Sequence, residues 1–354
     1  MKPAQRARGL TRVAFALGVG FALSAGAIAA AEPTPTFDDV MTYLQFDGAD
    51  RARVLQGEIV GKAFREDDEK EISIAVVTRI AAPLPRLAAE IRKGELLQAD
   101  QEVLDFRASA AGTPLEETFR TAGYTSGEGQ EIRRLLAALP GSTFNLSAEE
   151  FDRLRAARTR FPDGDCDRKA ACAGELSGLY RAMLRERLER YLKDGLDGIA
   201  PYDRGAGKSV LPGDELRHAA QDATLIRRAF PEFYRAFTEF PREQRAEYDS
   251  QLLWIKRRVQ GRPAFALAHR LSEVRPGAAL FAERQFYAGA SYNSLQTFIG
   301  LLPDGDQTML VYTNRTFTDQ VAGLGSNVRH SVGRSKMMSA VTRIFEALRK
   351  RGPA

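Results

Sequence analysis

The chain has 354 residues, 44% of them hydrophobic and 27% charged, which excludes a disordered tail, a collagen-like repeat and a disulfide-dense mini-protein. Of its formal net charge of +5, four positive charges fall before the first acidic residue, at Lys2, Arg6, Arg8 and Arg12. Without residues 1–31 the charge is +1, which gives no Lys/Arg excess for displacing counterions from phosphates, so nucleic acid is not expected as a partner.

Those first residues have the layout of an export signal. A basic start is followed by the apolar run Val13–Leu23 and then by the small-residue stretch Ser24–Ala31, ahead of Glu32-Pro33. Cleavage is expected after Ala31, with Ala29 as the alternative. This assigns 1–31 to a signal peptide and the remainder to the periplasm or the secreted fraction, without stable membrane insertion after cleavage. The competing reading is an uncleaved anchor, since Val13–Ala31 is just long enough to span a bilayer.

Next comes a short helix over Phe37–Phe46, then two strands, Val54–Phe64 and Glu71–Ile80. The acidic run Glu66-Asp67-Asp68-Glu69 between them reads as an exposed hairpin connection. Pro83 and Pro85 end the second strand, a short helix through Leu87 and Ile91 runs to Gly94, and Val103–Arg107 is a third strand. Thr113-Pro114-Leu115-Glu116 has the residues of a helix start.

Ser147-Ala-Glu-Glu150 is a capping box opening a helical stretch. The clearest helix is Ala173–Leu196, where Leu176, Leu179, Leu184, Leu188, Tyr191, Leu192 and Leu196 recur every three or four residues. A further helix is expected over Asp214–Phe230. Phe230, Phe233, Tyr234, Phe237 and Phe240 then form an aromatic stripe that reads as core.

From Gln251 the pattern turns to strands: Gln251–Val259, Ala264–Val274, Leu280–Leu302 with a break near Gly289, and Gln307–Phe317. Gly261-Arg-Pro263, Pro276-Gly277 and Pro303-Asp-Gly-Asp306 supply turn chemistry, which makes an antiparallel meander. Val328, Val332, Met338, Val341, Ile344, Phe345 and Leu348 mark one long C-terminal helix, capped by Ser326 or Asn327. The expected class is therefore α+β. A discontinuous domain (37–145 and 249–350) carries an antiparallel sheet with a long C-terminal helix, and residues 147–248 form a helical insertion.

The order of a short helix, two strands opening with Val54-Leu-Gln-Gly-Glu-Ile-Val60, a helix, more strands and a long terminal helix resembles the START-like helix-grip fold. The stretches Asp163-Gly-Asp-Cys-Asp167, Phe286-Tyr287 with Ser294-Leu295, and Tyr312-Thr-Asn-Arg315 also resemble exported bacterial proteins of unknown function. The fold resemblance implies a cavity between a curved sheet and the last helix.

Local motifs exclude more than they support. Gly205-Ala-Gly-Lys-Ser209 lacks the Gly a phosphate loop needs, because Tyr202 stands there, so a flexible inter-helix loop is expected. Asp163, Asp165 and Asp167 alternate like calcium ligands, but Arg168 and Gly174 occupy the positions of the required Gly and Glu, which leaves an irregular cation site or a polar turn. His218, His269 and His330 show no ligand spacing, so no metal centre and no cofactor are expected. Cys166 and Cys172, in an exported chain, favour one disulfide over two free thiols.

The residues proposed for ligand binding are His269, Tyr287, Tyr292, Tyr312 and Arg315, polar groups set among apolar strand residues. His269 alternates with Phe265, Leu267 and Leu271 onto one face, and this points its imidazole toward the core. Tyr312, Asn314 and Thr316 share one face of their strand and Thr313, Arg315 and Phe317 the other, so the two sets do not line one pocket. The reading that follows is an exported protein binding an apolar or amphipathic small molecule without chemistry. The alternatives are an envelope enzyme using His269 as acid/base with Glu283, Tyr287 or Arg315, and a helical docking module for a protein partner, which would show a large exposed apolar patch on 173–240.

Overall fold

The computed structural model describes residues 34–110, 113–141, 143–161 and 170–350. The expected export signal, the Asp163/Asp165/Asp167 run and Cys166 lie outside the described residues; of the two cysteines expected to pair, Cys172 is described, and it is buried.

The first half of the chain alternates short helices with the strands at the two margins of the sheet. Helix α1 (Phe37–Tyr43) and helix α2 (Gly48–Leu55) precede the hairpin β1 (Val60–Ala63) and β2 (Glu71–Ile80). The strand expected over Val54–Phe64 is thus mostly something else. Asp47 Oδ1 accepts the amide of Asp50 at 2.8 Å while Asp50 returns the bond, and this reciprocal cap nucleates a helix that turns Val54 into the core. Only Val60–Ala63 is extended.

Helices α3 (Leu84–Arg92) and α4 (Glu95–Ala99), strand β3 (Val103–Ala110), and helices α5 (Leu115–Phe119) and α6 (Gly129–Leu136) complete this half. Pro114, not Thr113, is the residue preceding α5, and Thr113 makes no capping bond there.

In the helical block, α7 (Ala148–Arg160) starts at the capping box, Ser147 Oγ accepting from the Glu150 amide. Helix α8 (Ala170–Asp194) is the long amphipathic one. Gly205–Ser209 is not a helix-to-helix loop but the turn of a two-stranded ribbon, β4 (Tyr202–Gly205) with β5 (Lys208–Val210). The single helix expected over Asp214–Phe230 is broken at Asp222 into α9 (Pro212–Gln221) and α10 (Thr224–Ala229), and α11 (Pro231–Thr238) follows. The aromatic stripe is core, with Phe233 and Phe237 fully buried. Among the described residues of 173–240, Leu211 is the one large apolar side chain left exposed.

The meander is β6 (Asp249–Val259), β7 (Arg262–Arg275), β8 (Ala278–Ala288), β9 (Ser294–Asp304) and β10 (Gln307–Phe317), and α12 (Ser326–Lys350) ends the chain. These strands join the hairpin and β3 in one eight-stranded sheet of order β1-β2-β10-β9-β8-β7-β6-β3, every pairing antiparallel. The break near Gly289 separates β8 from β9. A Cβ at Gly289 would lie 2.7 Å from Tyr180 Oη, so a residue without one is required there. The protein is α+β, with a long helix after the last strand.

The sheet has helices on both faces. On one, α8 buries Leu176, Tyr180, Leu184, Leu188 and Tyr191 with Trp254, Phe265, Leu267 and Phe286 of the sheet, beside a second cluster built with α1, α10 and α11. On the other, α3 and the C-terminal half of α12 (Val341, Phe345, Leu348) cover Val76, Ile80, Ala279, Leu301 and Leu310. Burial on both faces explains why β2 and β8 read as near-continuous apolar runs.

Candidate functional site

Helix α12 is fastened at both ends. Near its start, His330 Nδ1 lies 2.9 Å from Glu66 Oε2 and its Nε2 lies 2.9 Å from the Glu69 carbonyl, while Arg334 reaches Glu66 at 2.8 Å. The acidic turn is therefore more than a solvated connection: Asp67, Asp68 and Glu69 stay exposed, but Glu66 is drawn in to hold the helix. Near its end, Arg349 donates to the Gly57 carbonyl at 2.6 Å beside the buried Phe345 and Leu348.

Between these anchors Gly333 lies close against Ile72, where a Cβ would fall 2.5 Å from its Cδ1, and the helix then offers Ser335, Lys336, Ser339 and Ala340 to the cavity, side chains too small or too polar to fill the space over the sheet. Val328 and Val332, two of the apolar residues that mark this helix in the sequence, are 68% and 47% exposed. The result is an open cavity of about 970 Å³, lined by the sheet, by α12 and by Leu96 and Leu97 of α4. That volume lies at the upper end of the range typical for ligand pockets.

Strand register grades the floor. One row across the sheet is Phe281, Ile299 and Tyr312. The next is Arg270, Glu283, Thr297 and Asn314, and the third is Gln285, Leu295 and Thr316. Two separate hydrogen-bonded sets occupy the middle row and its neighbours. Arg270 grips Glu283 Oε2 through Nε at 3.1 Å and Nη2 at 2.6 Å, Gln285 donates to Glu283 Oε1 at 3.1 Å, and Tyr292 donates to Gln285. Across the floor, Asn314 Nδ2 donates to Thr297 Oγ1 at 3.0 Å and to Tyr312 Oη at 3.2 Å. Burial pushes the phenols of Tyr292 and Tyr312 up, so both stay protonated and able to donate. Arg257, paired with Asp100 at 2.8 Å, closes the polar end beside the β6–β7 turn.

Of the five expected ligand-binding residues, Tyr292 and Tyr312 line this cavity, Tyr292 from the loop after β8 instead of from a strand. The other three sit on the opposite face. Simple alternation from Glu283 and Gln285 would have put Tyr287 in the cavity, but a bulge in the β7–β8 pairing turns both Phe286 and Tyr287 into the helical core. There Tyr287 shares a 2.8 Å hydrogen bond with Tyr180. Arg315 is ion-paired with Glu71 and, at 3.0 Å, with Asp222.

His269 is 0% exposed. Its Nδ1 lies 2.8 Å from Tyr191 Oη and its Nε2 3.0 Å from Ser250 Oγ, so both ring nitrogens are engaged. Burial, and then the charge of Arg284, push its pKa down to about 3. The imidazole is neutral and sealed. Glu283, named with it as a partner for acid/base work, projects from the other side of the sheet.

Outside the cavity, Asp67, His218 and Asp222 bring ligand-type atoms within 4.8 Å of one another. The guanidinium of Arg65 already bridges the two carboxylates, at 2.8 Å from Asp67 and 3.1 Å from Asp222. This ion-pair cluster serves to tie the β1–β2 turn to α9.

Sequence reasoning missed Leu96, Leu97, Arg270, Thr297 and Gln285. A signal existed for Thr297: a two-residue turn at Gly305-Asp306 fixes the β9–β10 register and sets Thr297 opposite Asn314. Comparison with family models, with curated proteins and with solved structures finds no match, so the reading of the site rests on its own geometry.

Proposed function

We propose that the protein is an exported binding protein, periplasmic or secreted, that holds an apolar or amphipathic small molecule in the cavity between sheet and α12 and performs no chemistry on it. The observation that carries this reading is the cavity of about 970 Å³ whose lining is graded from Phe281, Ile299, Val341 and Ile344 to the polar groups Glu283, Gln285, Tyr292 and Asn314. A mostly apolar pocket with a few convergent polar groups is what fixes the orientation of a lipid-like ligand. The apolar part of such a molecule lies over the Phe281–Ile299 row and its polar part against Glu283 and Asn314. A helix-grip relationship, with the last helix closing on the sheet, agrees with the position of this cavity. The neutral, enclosed state of His269 weighs against acid/base catalysis.

Native mass spectrometry of the protein purified from its own host, followed by denaturing extraction, tests the proposal. A stoichiometric apolar or amphipathic molecule is the expected result, and its release on Ser339→Trp, which sets an indole into the cavity, would place it. A protein that is empty and that a broad lipid panel fails to stabilise would overturn the reading.

A further inference from the structure

On the helical side of the sheet a second polar row crosses the strands one residue out of step with the cavity floor: His269, Arg284, Gln296, Arg315 and Ser73, each opposite the next. Toward its flanks the ionisable groups are answered, His269 by Tyr191 and Ser250 and Arg315 by Glu71 and Asp222, while the Ser73 hydroxyl at the end of the row is buried without a hydrogen-bond partner among the described residues. The middle is different. Arg284 is 1% exposed and Gln296 3% exposed, yet Arg284 Nε and Nη2 and Gln296 Nε2 have no hydrogen-bond acceptor among the described residues. No carboxylate among them pairs with Arg284 either.

An arginine does not shed its proton to escape such a setting, and an isolated buried charge is costly. Phe237 covers one face of the guanidinium, its ring centroid 3.8 Å from Cζ, which supplies cation–π attraction but satisfies no N–H. An acceptor must therefore come in the guanidinium plane, along the Nε/Nη2 edge. That edge is a two-pronged donor suited to a halide or to the two oxygens of a carboxylate. Gln296, the in-register neighbour on β9, adds a third donor from a Cβ about 5 Å away. Tyr191 and neutral His269 complete the surroundings without adding negative charge.

We propose that Arg284 and Gln296 form a buried binding site for a small monovalent anion, chloride or a carboxylate, on the face of the sheet opposite the cavity. Its position between the two packed cores on that face makes the anion part of what holds α8 and α11 to the sheet.

The test is thermal unfolding of the intact chain in sodium chloride, bromide or formate, with gluconate holding the ionic strength constant. Wild-type Tm is expected to climb with the logarithm of the small-anion concentration, by about 2 °C per tenfold above Kd, and the larger of the halide and formate responses identifies the preferred class. Arg284→Met removes the dependence, and Gln296→Leu, which keeps the cation, shifts its onset to roughly tenfold higher anion concentration, the equivalent of one good hydrogen bond to a charge. A wild-type Tm indifferent to these anions, or an equal response in Arg284→Met, overturns the proposal. Should Arg284→Met not fold, wild-type crystals soaked in bromide decide. An anomalous peak within hydrogen-bond distance of Arg284 Nε and Nη2 supports the site, and a water in that place refutes it.

Discussion

One sheet faces two helices of equal length, and the contrast between them explains where this protein is closed and where it is open. Helix α8 presents leucines and tyrosines at three- and four-residue spacing, and the sheet answers with Trp254, Phe265 and Phe286; Tyr191 stacks on Phe286 with ring centroids 4.0 Å apart. Polar groups enter that core in pairs: Tyr180 with Tyr287, Arg187 with Glu150, Trp254 Nε1 donating to the Thr118 carbonyl at 2.6 Å. Helix α12 is also amphipathic, yet its middle carries mostly glycine, serine, lysine and alanine; there it meets the sheet at the β1–β2 side, Gly333 against Ile72 and Met338 against Gly61, and leaves the floor of the cavity uncovered. A cavity here is a consequence of residue size along one helix, with the ends pinned by Glu66 and by Phe345.

The strongest way to break the contrast is to remove one partner of the closed side. Glu150 and Arg187 are both buried, and each oxygen of Glu150 accepts from Arg187. Glu150→Ala leaves a guanidinium without its anion and is expected to cost about 3–5 kcal/mol in urea unfolding. A loss below about 1 kcal/mol would mean that this core is wetter than it looks.

Acid should act on the closed side through His269. Its folded pKa, about 3, lies below its ordinary 6.5, so the folded state binds fewer protons in that window. The associated stability is complete above about pH 6.5 and is lost as pH falls toward 3, amounting to about 3 kcal/mol by pH 4. His269→Gln should flatten this slope. Glu215 works in the opposite sense. Burial outweighs its bonds from Ser294 and Asn293 and raises it from 4.5 to about 7, so the folded state binds the extra proton and stability falls as pH rises from about 4.5 to 7. Glu215→Gln should remove that fall. Guanidinium unfolding at a series of pH values, with each single variant, separates the two slopes.

Much of the architecture was legible because the patterns are strong: β2, β10 and α12 begin and end close to where alternation, turns and apolar spacing place them, and the α+β class follows from their order. The misses have local causes. Val54 and Leu55 look like the start of a strand until the Asp47–Asp50 cap is weighed. Asp222 breaks a continuous helical pattern because Arg65 and Arg315 engage its side chain. The site was half legible. Alternation separated Tyr312 from Arg315 correctly, but Tyr287 was misplaced because a single-residue bulge inverts a strand's facing and leaves no mark in composition. Leu96 and Leu97 were out of reach, since a five-residue helix joins the cavity only through tertiary packing.

Deleting the same atom on each side gives a sharper comparison. Tyr180→Phe strands the buried Tyr287 hydroxyl and is expected to cost about 1–3 kcal/mol, whereas Tyr312→Phe, on the open floor where water replaces the lost hydroxyl, should cost less than about 1 kcal/mol. Equal losses in urea unfolding would show that the cavity floor is as tightly determined as the helical core.

The smallest expected effect on stability carries the most information about function. Ser339 is exposed and lines the cavity from the middle of α12, where it makes no contact that holds the helix down. Ser339→Trp adds an indole to space that is already open, so unfolding free energy should move by no more than about 0.5 kcal/mol. The same indole occupies volume that a ligand needs, and binding of a fluorescent acyl probe should weaken at least tenfold. If instead the variant binds the probe as wild type does, the molecule is held elsewhere. If it loses several kcal/mol of stability, then α12 closes on the sheet more tightly than its row of small residues implies, and the open face would have to be counted as a second core.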